Sequence, residues 1–303
     1  MHLSSRYWIF IKERYPPLQV TPFLAIESFC GYIIGLLYFD SYINWINYIL
    51  VLFILWLFYL QLRLFDDIKD FEVDQRVHPT RPLSRGIVSI TDLFKLLSII
   101  IGIQLIISVY LSIVTNWIVF LFYSLSLFYS ILMRYEFFVS SWIKQHIFIY
   151  LITHQIIVPL IMILPYLVGI QYFDITPLGV IYLTRVIIAN YCIELLRKTV
   201  GKEQEREGYE TYSSPSIIGS TGAAILIFLI SFIELLPIFI YQYYPNQFWN
   251  WLVFGSYSLF VLALVGYVKN PTKRTSGICM FVYAIHIFLA LILLGLDALM
   301  KIV

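Results

Sequence analysis

Charge is scarce in this sequence: Asp, Glu, Lys and Arg make up 13% of its 303 residues, about half the share of an average soluble domain. The net charge is only +2, which excludes the strongly basic face that a nucleic-acid backbone demands. Cys30, Cys192 and Cys279 are the three cysteines, each alone in an apolar segment, so neither a disulfide framework nor a zinc cluster is indicated. No long polar, Pro-rich or Ser-rich linker sets off a soluble domain. The expectation is a single membrane-embedded domain over 1–303.

What fills the chain is apolar, with 60% hydrophobic residues, 18% aromatic residues and a mean hydropathy of +0.84, a composition that belongs in a bilayer. A hydrocarbon core of ~30 Å takes about 20 helical residues. Nine stretches suit that length: 22–39, 45–64, 93–114, 117–133, 148–170, 176–196, 217–241, 247–267 and 277–299. Turn signals at Thr115-Asn116, Asp174 with Pro177, Pro245-Asn246 and Asn270-Pro271 separate them. The fold class predicted is all-α, a polytopic bundle of nine transmembrane helices.

The placement of Lys and Arg orients the bundle, because cytoplasmic loops retain positive charge. Arg6, Lys12 and Arg14 precede the first span; Arg63, Lys69, Arg76, Arg81, Arg85 and Lys95 surround the second loop; Arg134 and Lys144 mark the fourth. Arg197, Lys198, Lys202 and Arg206 follow in the sixth, and Lys269, Lys273 and Arg274 in the eighth, while the loops near Asp40, Asn116, Asp174 and Pro245 have none. The N-terminus is therefore expected in the cytoplasm and the C-terminus outside, in a plasma or inner membrane. Residues 1–19, with Arg6, Tyr7, Trp8, Phe10, Lys12 and Arg14, have too short an apolar run for a signal peptide and read as an interfacial amphipathic segment.

Eleven of the 18 acidic residues gather in two places. Asp66, Asp67, Asp70, Glu72, Asp74 and Asp92 follow span two, and Glu194, Glu203, Glu205, Glu207 and Glu210 follow span six, both on the cytoplasmic side. On a helix, Asp67, Asp70 and Asp74 at i, i+3 and i+7 share one face, and like charges so placed need counter-charge. One reading is a solvated helix end neutralised by Lys69 and Arg76. The other is a hard-cation site, since Mg²⁺ takes carboxylate oxygens together with substrate phosphates. The second cluster favours the cation site: two carboxylate groups mixed with Arg and Lys can hold metal ions and a polyanion.

The run Asp66-Asp67-Ile68-Lys69-Asp70-Phe71-Glu72-Val73-Asp74, followed by Arg81-Pro82-Leu83-Ser84-Arg85-Gly86, resembles the UbiA superfamily of intramembrane prenyltransferases. That family's first motif reads Asn-Asp-x-x-Asp-x-x-x-Asp, with a downstream Arg-Pro-Leu…Gly. Its nine helices and two cytoplasmic Asp-rich motifs, after helices two and six, parallel the segmentation above. The second motif departs from the family's Asp-x-x-x-Asp, with Glu194, Arg197, Lys198, Glu203, Glu205 and Glu207 in its place.

The resemblance implies an Mg²⁺-dependent enzyme that ionises an isoprenyl diphosphate and passes the prenyl chain to a lipophilic acceptor within the bilayer. It implies one ion on Asp66, Asp67, Asp70 and Asp74 and a second on Glu194 and Glu203, with Asp67, Asp70, Asp74 and Glu194 carrying catalysis. Arg63, Arg81, Lys198 and Lys202 are the implied diphosphate contacts. The chemistry is sound on its own terms, because a departing diphosphate needs positive charge in a water-poor site. Aromatic faces can stabilise an allylic cation by ~0.5–2 kcal/mol each, ordinary packing being the other reading of any one ring.

Glu27, Arg185 and Glu234 are costly in hydrocarbon and should face the bundle interior or one another, with Arg185 open to pairing with either acid. Asn190, Glu194 and Arg197 share a face of span six, His154 and His286 read as hydrogen-bonded packing residues, and Asp297 with Lys301 reads as a local pair. With no acceptor motif visible, a UbiA-like terpene cyclase, in which the substrate's own double bonds attack the cation, stands beside the transferase. A cation transporter is the third reading, weakened by acidic clusters at the cytoplasmic edge where transport sites lie near the midplane.

Overall fold

The computed structural model describes residues 3–37, 42–170, 172–204, 211–236 and 247–302. Asp40, Glu205, Arg206, Glu207, Glu210, Pro245, Asn246 and Val303 lie outside the described residues. Among those described there is no strand. The helices are α1 Leu3–Arg14, α2 Pro17–Leu37, α3 Trp45–Lys69, α4 Phe71–Val77, α5 Ile90–Val114, α6 Ile118–Arg134 and α7 Ser140–Lys144. There follow α8 Ile147–Gln155, α9 Ile157–Met162, α10 Leu164–Gly169, α11 Pro177–Arg197, α12 Gly219–Ile233, α13 Gln247–Lys269 and α14 Lys273–Ile302.

Capping side chains fix where the long helices start. Asn44 accepts the N–H groups of Ile46 and Asn47 at 3.1 and 3.2 Å to open α3. Ser89 and Asp92 form a reciprocal capping box that starts α5 at Ile90, a turn before the apolar run predicts. Thr176 accepts the N–H of Gly179 at 3.1 Å, and Pro177 supplies a first helical residue that needs no N–H partner. The expected span 148–170 is interrupted at Ile156 and Ile163, giving α8, α9 and α10. Pro159 and Pro165 account for both breaks: each lacks an N–H and its ring crowds the carbonyl four residues back.

Seven helical stretches among the described residues are long and apolar enough to cross a bilayer: α2, α3, α5, the run Ile147–Gly169, α11, α13 and α14. Of the other two expected spans, 117–133 falls on α6, of 17 residues, and the described part of 217–241 on α12, of 15 residues, while 237–241 lie outside the described residues. At 1.5 Å per residue α6 rises about 26 Å, at the lower end of the helix lengths that cross a ~30 Å core.

The chain divides into two compact units, one of Met1–Ser141 with Leu160–Asp174, the other of Trp142–Pro159 with Ile175–Val303. In the first, α2 and α10 touch backbone to backbone at Gly35 and Gly169: a Cβ on Gly35 would collide with the Tyr166 carbonyl, and one on Gly169 with that of Tyr32. Gln61, Gln104 and Ser130 join α3, α5 and α6 through buried hydrogen bonds of 2.9 and 3.0 Å. Asn116, at the α5–α6 turn, donates to the carbonyls of Leu167 and Ile170 beside α10.

The second unit is knitted by a buried polar cluster. Arg185 on α11 meets Glu234, at the end of α12, at 3.3 Å, and Tyr283 and His286 on α14 approach the same carboxylate at 3.4 and 3.7 Å. Ser256 and Tyr257 on α13 bond His286 and Ser231 at 2.8 and 3.1 Å. Arg185 thus pairs with Glu234, the choice the sequence left open; Glu27 belongs to the first unit, fully buried on α2. All three cysteines are buried free thiols, and Lys301 bonds Asp297 at 2.7 Å, as the local pairing anticipated.

Candidate functional site: two acidic clusters

The first acidic motif sits where α3 gives way to α4. The helix is interrupted at Asp70, whose φ and ψ are −92° and 8°, although helical hydrogen bonds persist from Asp70 N–H to Asp66 O and from Asp74 N–H to Asp70 O, at 2.9 and 2.8 Å. The carboxylates do not form one solvated stripe. Asp67 is buried and receives a two-pronged bond from Arg14 of α1, at 2.8 Å from Nε to Oδ2 and 2.6 Å from Nη2 to Oδ1. Asp74 is also buried and accepts from Arg81. Asp66 is open to solvent and has the Arg63 guanidinium at a loose 3.9 Å. Asp70, between them, is half-buried.

The counter-charges therefore include three arginines that the sequence did not pair with the motif. Arg14, Arg63 and Arg81 face the carboxylates, and the expected Lys69, whose charge also acts on Asp66, lies 3.5 Å from Glu136 as well. The loop after α4 owes its shape to Gly86, whose φ of +71° suits glycine and lets Ile87 N–H reach the Pro82 carbonyl at 3.0 Å. Arg85 from this loop reaches back to Glu13 of α1 at 2.7 Å.

Two neighbouring features carried no sequence signal. Glu136, Phe137 and Phe138 follow one another at φ of 48°, 54° and 61°, a left-handed turn without glycine that costs roughly 1–2 kcal/mol per residue. Buried Glu136 anchors it, with Lys69 on one side and the Ser140 hydroxyl on the other. Beside it, the Arg134 guanidinium lies 4.8–5.4 Å from the rings of Phe94, Tyr135 and Phe65. In the sequence Arg134 registered only as a charge that orients the chain, and Arg14 only as that and as part of an interfacial segment.

The second cluster, in the second unit, caps the end of α11. Glu194 takes two bonds from Arg197, of 2.8 and 2.7 Å, and has the Lys198 ammonium at 3.8 Å. That ammonium also lies 5.3 and 5.9 Å from the rings of Tyr150 and Tyr212. Asn190, expected on the same functional face, spends its amide on the Val186 carbonyl of its own helix.

Glu203 is engaged elsewhere: its carboxylate accepts the backbone N–H of Lys273, the first residue of α14, and this hydrogen bond holds its pKa below the usual carboxylate range. Gly201 permits that approach, since a Cβ there would collide with the Lys273 nitrogen. Lys202, exposed, ties the same strap through its N–H to the Pro271 carbonyl at 3.0 Å. Glu205, Glu207 and Glu210 lie outside the described residues.

Among the described residues, no three Asp, Glu, His or Cys side chains gather as a ready-made metal group. Mg²⁺ does not need three, because one or two carboxylates with substrate phosphates and water complete its shell. Asp66 and Asp70 are hard oxygen donors at the mouth of a helix, one open and one half-buried, and that donor set fits the ion.

A model of the UbiA prenyltransferase family matches residues 28–292. Comparison with curated protein sequences gives no significant match. Among solved structures, one from work on digeranylgeranylglyceryl phosphate synthase in membranes superposes with a TM-score of 0.69 over 99% of this chain and 100% of that one. Its sequence identity is 16%, so the likeness is one of fold.

Proposed function

Because the chain belongs to the UbiA prenyltransferase family, we propose that it transfers the prenyl chain of an isoprenyl diphosphate to a lipophilic acceptor in an Mg²⁺-dependent reaction. The observation that carries this reading is the first motif at the end of α3, with Asp66 open and Asp70 one turn on. Asp66 and Asp70 are the residues that would hold the ion. Bound there, Mg²⁺ would offset the charge that develops on the departing diphosphate.

The chain's own cations contribute in the same way. Arg63 lies one turn before Asp66, only loosely paired with it and 40% exposed, so it can turn to a diphosphate oxygen with little loss. Arg81 is tied to Asp74, which assigns it first to shaping the loop and only then to substrate. Glu194 and Lys198 are the second unit's candidates for ion and phosphate. Glu203, in accepting the Lys273 N–H, serves the N-terminus of α14 before any metal. Nine spans, with the N-terminus and both acidic clusters on the cytoplasmic side, complete the proposal.

The test is mass-spectrometric product analysis of the purified protein with geranyl, farnesyl and geranylgeranyl diphosphates, with and without a lipid-extract acceptor. Diphosphate consumption should require Mg²⁺, stop with EDTA and return when Mg²⁺ is restored. Asp70→Ala should cut the rate by about 10²-fold or more with little change in thermal stability, as expected for a group that stabilises developing charge. Full turnover after exhaustive removal of divalent ions would sink the reading, and terpene released without acceptor would convert it to a cyclase.

A further inference from the structure

We propose that Arg14, on the N-terminal helix, is a positioning residue for the first acidic motif, and that its partner Asp67 braces the end of α3 instead of ligating the ion. The inference rests on the metal-diphosphate reading of that motif and assigns the roles within it.

Neighbouring residues on a helix point about 100° apart, so Asp66 and Asp67 leave α3 in different directions. The structure shows which faces where: the Asp66 side chain is 54% exposed and that of Asp67 only 2%. Both Asp67 oxygens are occupied by the planar fork of Arg14, with a third contact at 3.2 Å from Nε to Oδ1. An ion that took Asp67 would leave a guanidinium, itself 15% exposed, without its counter-charge. Asp67 in turn raises the pKa of Arg14 through this hydrogen bond.

The rest of α1 is held as firmly. Arg6 reaches the Ile87 carbonyl at 2.5 Å and Asp92 at 2.9 Å, Tyr7 donates to the Asp92 carbonyl at 2.9 Å, and Glu13 pairs with Arg85 at 2.7 Å. Phe10 is fully buried in the cluster of α3 and α5 side chains. One short helix thus joins the three segments that frame the motif: the end of α3, the loop through Arg85 and Ile87, and the start of α5. Its hold on Asp67 fixes the rotation of α3's last turn, and that rotation presents Asp66 and Asp70 together.

The experiment measures Mn²⁺ binding to the full-length protein by electron paramagnetic resonance, with inorganic pyrophosphate present, beside kcat and KM for prenyl transfer. If Arg14 positions the motif, Arg14→Ala weakens Mn²⁺ binding, by about the tenfold to hundredfold that loss of a ligand's support brings. Activity then falls mainly in kcat. If Asp67 were a ligand, removing its competing guanidinium would tighten Mn²⁺ binding, and that result overturns the inference.

Arg14→Lys, which keeps the charge but loses the fork, gives an intermediate weakening and serves where the Ala variant does not fold. The exchange Arg14→Asp with Asp67→Arg restores binding if the pair is a brace. It abolishes binding if a guanidinium has been placed on the metal, which also overturns the proposal. Failure of the unaltered protein to bind Mn²⁺ with pyrophosphate would instead remove the metal reading itself, and the inference with it.

Discussion

Arg185 shows how burial changes the worth of a side chain. At 1% exposure each, Arg185 and Glu234 have given up water, and what compensates is their mutual charge together with Tyr283. Removing one partner strands the other, so Glu234→Leu alone should lower stability by about 3–5 kcal/mol. Joining Arg185→Met to it removes both charges and should restore most of the loss. Thermal unfolding of the two variants in the same detergent measures the difference, and a single variant as stable as the pair would mean that the charge is met from elsewhere. The pair of Glu194 and Arg197, though closer at 2.7 Å, is worth far less because water competes for the exposed Arg197.

Among elements, the contact of α2 with α10 is decided by two hydrogens. Any side chain at Gly35 or Gly169 would press on backbone atoms of the facing helix, with the opposite Cα at 2.9 Å in each case. Backbone cannot rotate out of the way as a side chain can. Gly35→Ala and Gly169→Ala should therefore each destabilise the protein by roughly 1–3 kcal/mol, the range of overpacked cores. Gly102 on α5 is the control, since a Cβ there meets nothing within 4 Å. Its change to Ala should be neutral or stabilise by up to about 1 kcal/mol through helix propensity. Denaturation midpoints of the three variants check the prediction, and equal effects at all three positions would contradict it.

For the whole molecule, charge placement makes a prediction about sidedness. Single cysteines replacing Thr80 and Ser216, both exposed, should be labelled by an impermeant thiol reagent from the same side of sealed vesicles. A cysteine at Val303 should be labelled only from the other side. The three native thiols are buried and should contribute little background. Labelling of Thr80→Cys and Ser216→Cys from opposite sides would refute the placement of both acidic clusters on one face of the membrane.

Composition and periodicity were enough to determine an all-helical membrane chain, because a bilayer admits few structures and apolar length reports on them directly. The spacing from Asp66 to Asp74, with Arg81-Pro82-Leu83, likewise marked the family motif, since a charge run at the end of an apolar span is conspicuous. Tertiary structure decided what each charge faces. Arg14 and Asp67 are 53 positions apart in the chain, and Arg185 and Glu234 are 49 apart; no local pattern connects such residues.

The same holds for shape. The left-handed turn at Glu136–Phe138 has no glycine to announce it, and the α2–α10 contact needs two glycines that are far apart in the chain to meet in space. Helix length depends on nearest neighbours and is written locally, whereas an ion pair depends on where two helices come to rest. The sequence could count the carboxylates at the motif, but only the packed chain turned Asp67 toward α1 and left Asp66 open.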